Sequence, residues 1–282
     1  MRTHNTRHTG FTLIELVIVI IIGGIISGIT IMFLKTPVDQ YIDITRRAEM
    51  TDIADTALQR MTRDVRTAVP NSVRLSGGYL EFLPAKAGGR YRANTLGGLG
   101  LCTAAGDELS FTAADSCFEM TSPAISFAAG DSIVIGSTQA DGNAAYNSSA
   151  AGVLRAYTGV VGAQTKVIIT ATQLPAFASL PSQRFTVVSG SEQAVTYGCE
   201  NVGGTVDGTG TLKRYWAYGF NAAQLAPPTG GFSALLADNI SACAITYNAI
   251  NQRNGLVTIA LTILQSGEHI NLYSEIHVDN MP

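Results

Sequence analysis

Clustered metal ligands, catalytic triads and phosphate loops are missing from this sequence, and each absence removes a class of function. The four cysteines, Cys102, Cys117, Cys199 and Cys243, contain no Cys-x-x-Cys pair, which argues against a zinc site or a dithiol redox motif. Only four histidines occur. His4 and His8 sit near the start, while His269 and His277 share one face of a strand-like segment roughly 26 Å apart at about 3.3 Å per residue. They share no metal within that strand. Glu275 and His277 are neighbours on that face, yet no Ser-His-Asp or Cys-His set can be drawn. No catalytic residue, metal site or cofactor is therefore assigned. Gly98-Leu99-Gly100 lacks the third glycine and the following helix of a phosphate-binding loop.

Charge is also scarce. Charged residues make up 14% of the chain against 46% hydrophobic, with a formal net charge of −3. That overall field suits nucleic acid poorly. Between Arg92 and Arg155 there is no basic residue, whereas Asp107, Glu108, Asp115, Glu119, Asp131 and Asp141 fall there. Hard cations such as calcium want several such oxygens. EF-hand spacing is absent, so a solvated acidic surface is the preferred reading. The cluster Lys213-Arg214-Tyr215-Trp216-Ala217-Tyr218 could bind a glycan or a nucleic-acid strand, but aromatic residues are ordinary strand formers. An amphipathic strand over the core is the simpler reading.

What is present in quantity is one long apolar run. Phe11 to Leu34 holds 24 residues whose only ionisable group is Glu15. As a helix it is about 36 Å long, enough to cross a hydrocarbon core of about 30 Å. A cleaved secretory signal fits badly, because its apolar region is about 7 to 15 residues long and ends at small residues, whereas this run ends Phe33-Leu34-Lys35. A plain anchor leaves Glu15 unexplained, since a carboxylate in that zone is costly. Gly23 with Ser27, and Gly24 with Gly28, set small residues four apart, a spacing that lets helices approach closely.

From Val38 the apolar positions Tyr41, Ile42, Ile53, Ala54, Ala57, Leu58, Met61, Val65 and Ala68 keep helical spacing, with Arg46, Arg47, Asp52, Arg60, Arg63 and Asp64 opposite. This predicts an amphipathic helix over 35–69, ended by Pro70. Ser72 to Leu75 and Tyr79 to Leu83 around Ser76-Gly77-Gly78 read as a hairpin. Strands are expected at Ser132 to Ile135, Val153 to Val161, Lys166 to Thr170, Arg184 to Val188, Gln193 to Tyr197 and Leu212 to Phe220. A C-terminal meander is expected from Ile240 to Tyr247, Leu256 to Leu264 and His269 to Asp279, the first two joined by Asn251 to Gly255. In the last strand Ile270, Leu272, Ser274, Ile276 and Val278 share the inner face. The fold class is α+β: a long N-terminal helix, apolar and then amphipathic, packed by its second half on an antiparallel β-rich domain over 70–282.

Gly10-Phe11-Thr12-Leu13-Ile14-Glu15, after a short basic leader and before the apolar helix, resembles the processing site of type IV prepilins and type II secretion pseudopilins. In that family a membrane peptidase cuts after the glycine and methylates the new amine. The resemblance places the cut between Gly10 and Phe11, the methylation on Phe11, an assembly role on Glu15 and a leader at 1–10. It also implies that His4 and His8 are removed, that the small residues Gly23, Gly24, Ser27 and Gly28 pack in a filament core, and that no enzyme activity is needed. The leader carries Arg2 and Arg7 and no acid. Positive charge there keeps the N-terminus cytoplasmic, putting the 35–282 region in a bacterial periplasm with its anchor at 11–34 in the inner membrane. Disulfides persist in that compartment, and the pairs expected are Cys102 with Cys117 and Cys199 with Cys243.

The stretch Arg60 to Arg66 with Pro70-Asn71-Ser72 and Tyr79 to Pro84 is similar to J-type minor pseudopilins, and closer still to the large minor pilins of mannose-sensitive haemagglutinin (MSHA) pilus systems. The common pilin proline in the second half of the apolar run is missing, its place taken by Ile31-Met32-Phe33. The resemblance implies other minor pilins, the major pilin, the peptidase/methyltransferase and an inner-membrane assembly platform as partners. A tip subunit in that family often lacks the glutamate, so Glu15 implies insertion beneath another subunit. The competing function is a filament-tip adhesin binding a glycan or a surface through residues 85–235.

Overall fold

The computed structural model describes residues 10–94, 96–102, 107–249 and 254–282. Arg2, His4, Arg7 and His8 of the expected leader, and most of the expected Asn251 to Gly255 turn, lie outside them. The chain divides into two compact units, Met1–Glu49 and Met50–Pro282.

In the first unit the described structure is helical. Helix α1 (Leu13–Arg66) begins there, with Pro37 inside it. The apolar side chains of this segment are uncovered, from Phe11 at 82% exposure, just before the helix, to Leu34 at 61%. Away from its ends a helix meets its backbone donors and acceptors largely internally, as a lipid interior requires. The Thr30 hydroxyl follows suit by donating to the Ile26 carbonyl at 2.8 Å.

In the second unit, α1 turns amphipathic and its packed stripe starts at Met50, later than the Val38 expected from spacing. Met50, Ala54, Ala57, Leu58, Met61 and Val65 are buried, whereas Tyr41, Ile42 and Ile44 are exposed. The helix stops at Arg66, three residues short of Val69. The amides of Thr67 and Ala68 tighten onto the Asp64 and Val65 carbonyls, and Val69 N–H then donates to Leu83 at 2.8 Å. Strand-like pairing with the chain after the hairpin has replaced helix there.

Next comes the hairpin of β1 (Arg74–Ser76) and β2 (Tyr79–Phe82). Gly77 and Gly78 turn it with φ of 56° and 81°, the left-handed pair that a two-residue hairpin loop needs. There follow β3 (Ala85–Arg90), β4 (Cys117–Glu119), β5 (Ile125–Phe127), β6 (Ser132–Ile135), β7 (Leu154–Ala156), β8 (Gly162–Gln164), β9 (Lys166–Ile168) and β10 (Arg184–Val188). The chain finishes with β11 (Val195–Glu200), β12 (Gly210–Trp216), β13 (Phe232–Ala249), β14 (Asn254–Gln265) and β15 (Glu268–Asp279). Their order is β1-β2-β11-β12-β13-β14-β15 in a seven-stranded antiparallel sheet, and β3-β10-β6-β7 in a second sheet. Two further strand pairs, β4 with β9 and β5 with β8, complete the unit.

Because β2 pairs directly with β11, residues 83–194 are an insertion into the larger sheet. The insertion has a core of its own, built on Tyr91, Phe118, Phe127, Ile133, Phe185 and Val187. The main core joins Ala57, Leu58, Met61 and Val65 of α1 to Phe82, Tyr197, Leu212, Ile259 and Ile276 of the sheet. Each fully buried side chain of this size stabilises by about 1.5 to 3 kcal/mol. The antiparallel α+β architecture is thus present, with the helix packed through Met50–Arg66.

Two expected strands are shorter than their sequence suggests. The strand from Leu212 stops at Trp216 because Ala217 turns left-handed at φ 58°. Val153 to Val161 contributes only Leu154–Ala156, after which Tyr157 forms an isolated bridge with Ile169.

Candidate functional site: the start of the long helix

Gly10 is exposed coil, and Phe11 is the most exposed of the large hydrophobic residues at 82%. Helix begins two residues later for a local reason. Thr12 is its N-cap: the Glu15 N–H donates to Thr12 Oγ1 at 3.3 Å, and the Leu16 N–H to the Thr12 carbonyl at 3.2 Å. Thr12-x-x-Glu15 is the capping-box spacing, and the carboxylate lies in the first turn, where the helix dipole favours negative charge. An accessible glycine bond, an uncovered aromatic residue and an acid at the positive end of an apolar rod are thus set together. The motif Thr-x-x-Glu before an apolar run is a helix-start signal in its own right, and the capping role of Thr12 was missed from sequence.

Gly23, Gly24 and Gly28 lie on α1, and a Cβ built on any of them meets nothing within 4 Å. The stripe of small residues, Ser27 included, is open. Disulfides join Cys102 to Cys117 and Cys199 to Cys243. The first closes a loop around part of the insertion, and the second links β11 to β13.

The acidic stretch is not the solvated surface expected. Asp115, Glu119 and Asp131 are buried. Lys86 pairs with Asp131 at 2.6 Å, and Arg92 with Glu119 at 2.6 Å. Asp115 accepts from the Ser110 and Cys117 amides. Asp107 accepts from those of Cys102 and Gly100, which hold its carboxyl below the usual range. These acids fold the insertion, and among the described residues no group of three or more His, Cys, Asp or Glu could hold a metal.

The Lys213–Tyr218 cluster is committed to the fold as well. Lys213 pairs with Glu200 at 2.7 Å, and Tyr215 donates to the same carboxylate. Arg214 bridges Asp64 of α1 and Glu192, at 3.1 and 2.8 Å. Tyr197 also donates to Asp64, at 2.6 Å. Burial and that carboxylate push the Tyr197 phenol well up, so it stays a donor. This group clasps the helix to the sheet. His269 and His277 lie exposed on β15, and Glu275 accepts from Tyr273 at 2.7 Å.

Comparison with known families finds one match. Residues 5–31 fit the sequence model described as the prokaryotic N-terminal methylation motif. No curated protein and no solved structure matches the chain. The matched segment contains Gly10, Phe11, Glu15 and the open small-residue stripe, so what the chain carries at the head of its helix is a type IV pilin-like prepilin signal.

Proposed function

We propose that this chain is a minor pilin or pseudopilin, a structural and assembly-initiating part of an MSHA-like type IV pilus or a type II secretion filament. One observation carries the reading. Gly10, an exposed Phe11 and a capped Glu15 stand together at the head of an uncovered apolar rod. A prepilin peptidase cuts between Gly10 and Phe11 and methylates Phe11. The freed rod sits in the inner membrane, with Met50–Pro282 in the periplasm, and passes into a filament when neighbouring rods replace lipid along the apolar run. Gly23, Gly24, Ser27 and Gly28 allow that close approach. Glu15 sets docking against another subunit, which puts this component beneath the tip, as a J-type or MshO-like minor pilin would be. Its partners are the major pilin, other minor pilins and the assembly platform.

N-terminal sequencing and intact mass of membrane-extracted protein test this. The wild type should begin at Phe11 with a methylated amine, and Gly10→Val should keep the leader. A mature chain beginning at Met1 in the presence of the peptidase refutes the assignment.

A further inference from the structure

A cleft lies where the insertion meets Val69, Pro70, Met281 and Pro282. Its floor is the face of the β3-β10-β6 sheet on which register sets Arg90 opposite Arg184, and Gly88 opposite Thr186 and next Val134. Directly opposed residues on antiparallel strands share a face with Cβ atoms about 5 Å apart, and like charges so placed repel. Both arginines are exposed, and neither side chain meets a carboxylate among the described residues. Two guanidinium groups with no acidic side chain paired to them among the described residues therefore line the cleft. The cleft holds about 400 Å³, and its lining includes Ser122, Ser137 and Thr186 beside Val69, Val134, Met281 and Pro282.

Gly88 and Gly136 are among the glycines that line it. A Cβ at Gly136 would fall 2.1 Å from the Ala178 carbonyl oxygen, so no side chain fits there, whereas one at Gly88 meets nothing nearer than 3.4 Å. The space over Gly88 is open by sequence choice rather than by necessity. Ser137 is 2% exposed, and its hydroxyl has no partner among the described residues. The adjoining recess, which also touches Met281 and Pro282, includes Asn71 and Ser182. Asn71 Oδ1 and Ser182 Oγ are likewise buried without partners. The Asn71 amide cannot be turned to relieve this, because its nitrogen already donates to the Ser137 and Asn280 carbonyls at 2.7 and 2.9 Å.

We infer that this cleft binds an acidic sugar residue, its carboxylate on Arg90 and Arg184 and its hydroxyls toward Ser122, Thr186 and the unsatisfied groups. A planar guanidinium takes a carboxylate through two parallel hydrogen bonds, and a pocket of this size suits one or two rings. Binding of this kind belongs to the folded β-rich unit and is independent of cleavage or filament docking.

The test is calorimetric or NMR titration of full-length mature chain in detergent with glucuronate, glucose and acetate. Glucuronate should bind saturably, at least about tenfold tighter than either control, the scale of lost charge-assisted hydrogen bonds. Free glucuronate and a glucuronate-containing oligosaccharide, titrated separately, distinguish a monosaccharide ligand from a chain; saturable binding of either supports the site. R90Q/R184Q should weaken binding by about tenfold or more. Gly88→Leu, which fills the cleft from a position with room for it, should abolish binding while leaving the thermal transition in place. Overturning results are no saturable binding of either uronate, equal affinity for glucose or acetate, or undiminished binding by Gly88→Leu.

Discussion

Substituting Glu15 separates a helix-start role from a docking role, because the two differ in size. Within its own helix Glu15 occupies the first turn, where an acid stabilises by about 0.3 to 1 kcal/mol, less than about sixfold in an equilibrium. After cleavage the amine of Phe11 has a reference pKa of about 7.7 to 8 and is largely cationic at neutral pH. If the carboxylate of one rod meets that amine on the next, removing it strands a charge in an apolar bundle at about 3 to 5 kcal/mol. That corresponds to a loss of roughly 150-fold or more.

Thr12→Ala supplies the control. It deletes the acceptor at 3.3 Å from the Glu15 amide and costs about 0.5 to 2 kcal/mol of cap, yet keeps the carboxylate. Crosslinked complexes with co-expressed pilins should be recovered at near wild-type yield from Thr12→Ala. Glu15→Ala and Glu15→Gln should reduce recovery by two orders of magnitude at matched processing. Equal losses from Thr12→Ala and Glu15→Ala would reduce Glu15 to a helix-start residue and refute the docking argument.

Three further outcomes are expected. Arg74 and Glu81 are buried together at 2.6 Å, the guanidinium also over the Tyr146 ring at 3.7 Å; Glu81→Ala should cost about 3 to 5 kcal/mol by urea unfolding, and an Arg74→Met/Glu81→Leu double variant less than the sum of the two singles. Replacing Cys199 and Cys243 by serine opens a loop of sequence separation 44 and should lower stability by about 3 to 4 kcal/mol, read from the same unfolding curves; an unchanged midpoint would count against it. Lys213 and Tyr215 hold the Glu200 carboxyl below its ordinary value; a depressed carboxylate pKa stabilises above the unfolded value near 4.3 and loses that contribution as pH falls through the folded value, so Glu200→Gln should flatten the acid limb of the stability curve below about pH 4.

The parts of the fold legible in the sequence are those whose pattern runs long enough to be periodic. In β15, Ile270, Leu272, Ile276 and Val278 alternate with polar residues over twelve positions, and the buried face follows the alternation. The stripe on α1 was equally plain, but spacing alone did not show that Tyr41 and Ile42 lie outside the packed stretch. The insertion was largely illegible. Strands such as Cys117–Glu119 and Gly162–Gln164 are three residues long, below the four to eight over which alternation reads. β3, Ala-Lys-Ala-Gly-Gly-Arg, has no β-branched residue. Gly10, Phe11 and Glu15 were readable because they are contiguous. The arginine pair was not, since only strand register brings Arg90 to Arg184.

That contrast bears on how the chain divides its work. β2 and β11 pair across the insertion, so the larger sheet closes whatever residues 83–194 contain. Loop closure grows slowly, each doubling in length costing only about 0.6 kcal/mol, and the insertion offsets this with its own core and the Cys102–Cys117 link. The clasp of Asp64, Tyr197 and Arg214 holds helix to sheet, and Glu192, near the end of the insertion, is the second carboxylate that Arg214 meets. Changes at Arg90, Arg184 or Gly88 should therefore leave assembly untouched, while changes at Thr12 or Glu15 leave the cleft intact. The frame still leans on the insertion at Tyr146 and Glu192, so an insertion that keeps those two contacts can vary elsewhere without altering the rod by which the chain docks.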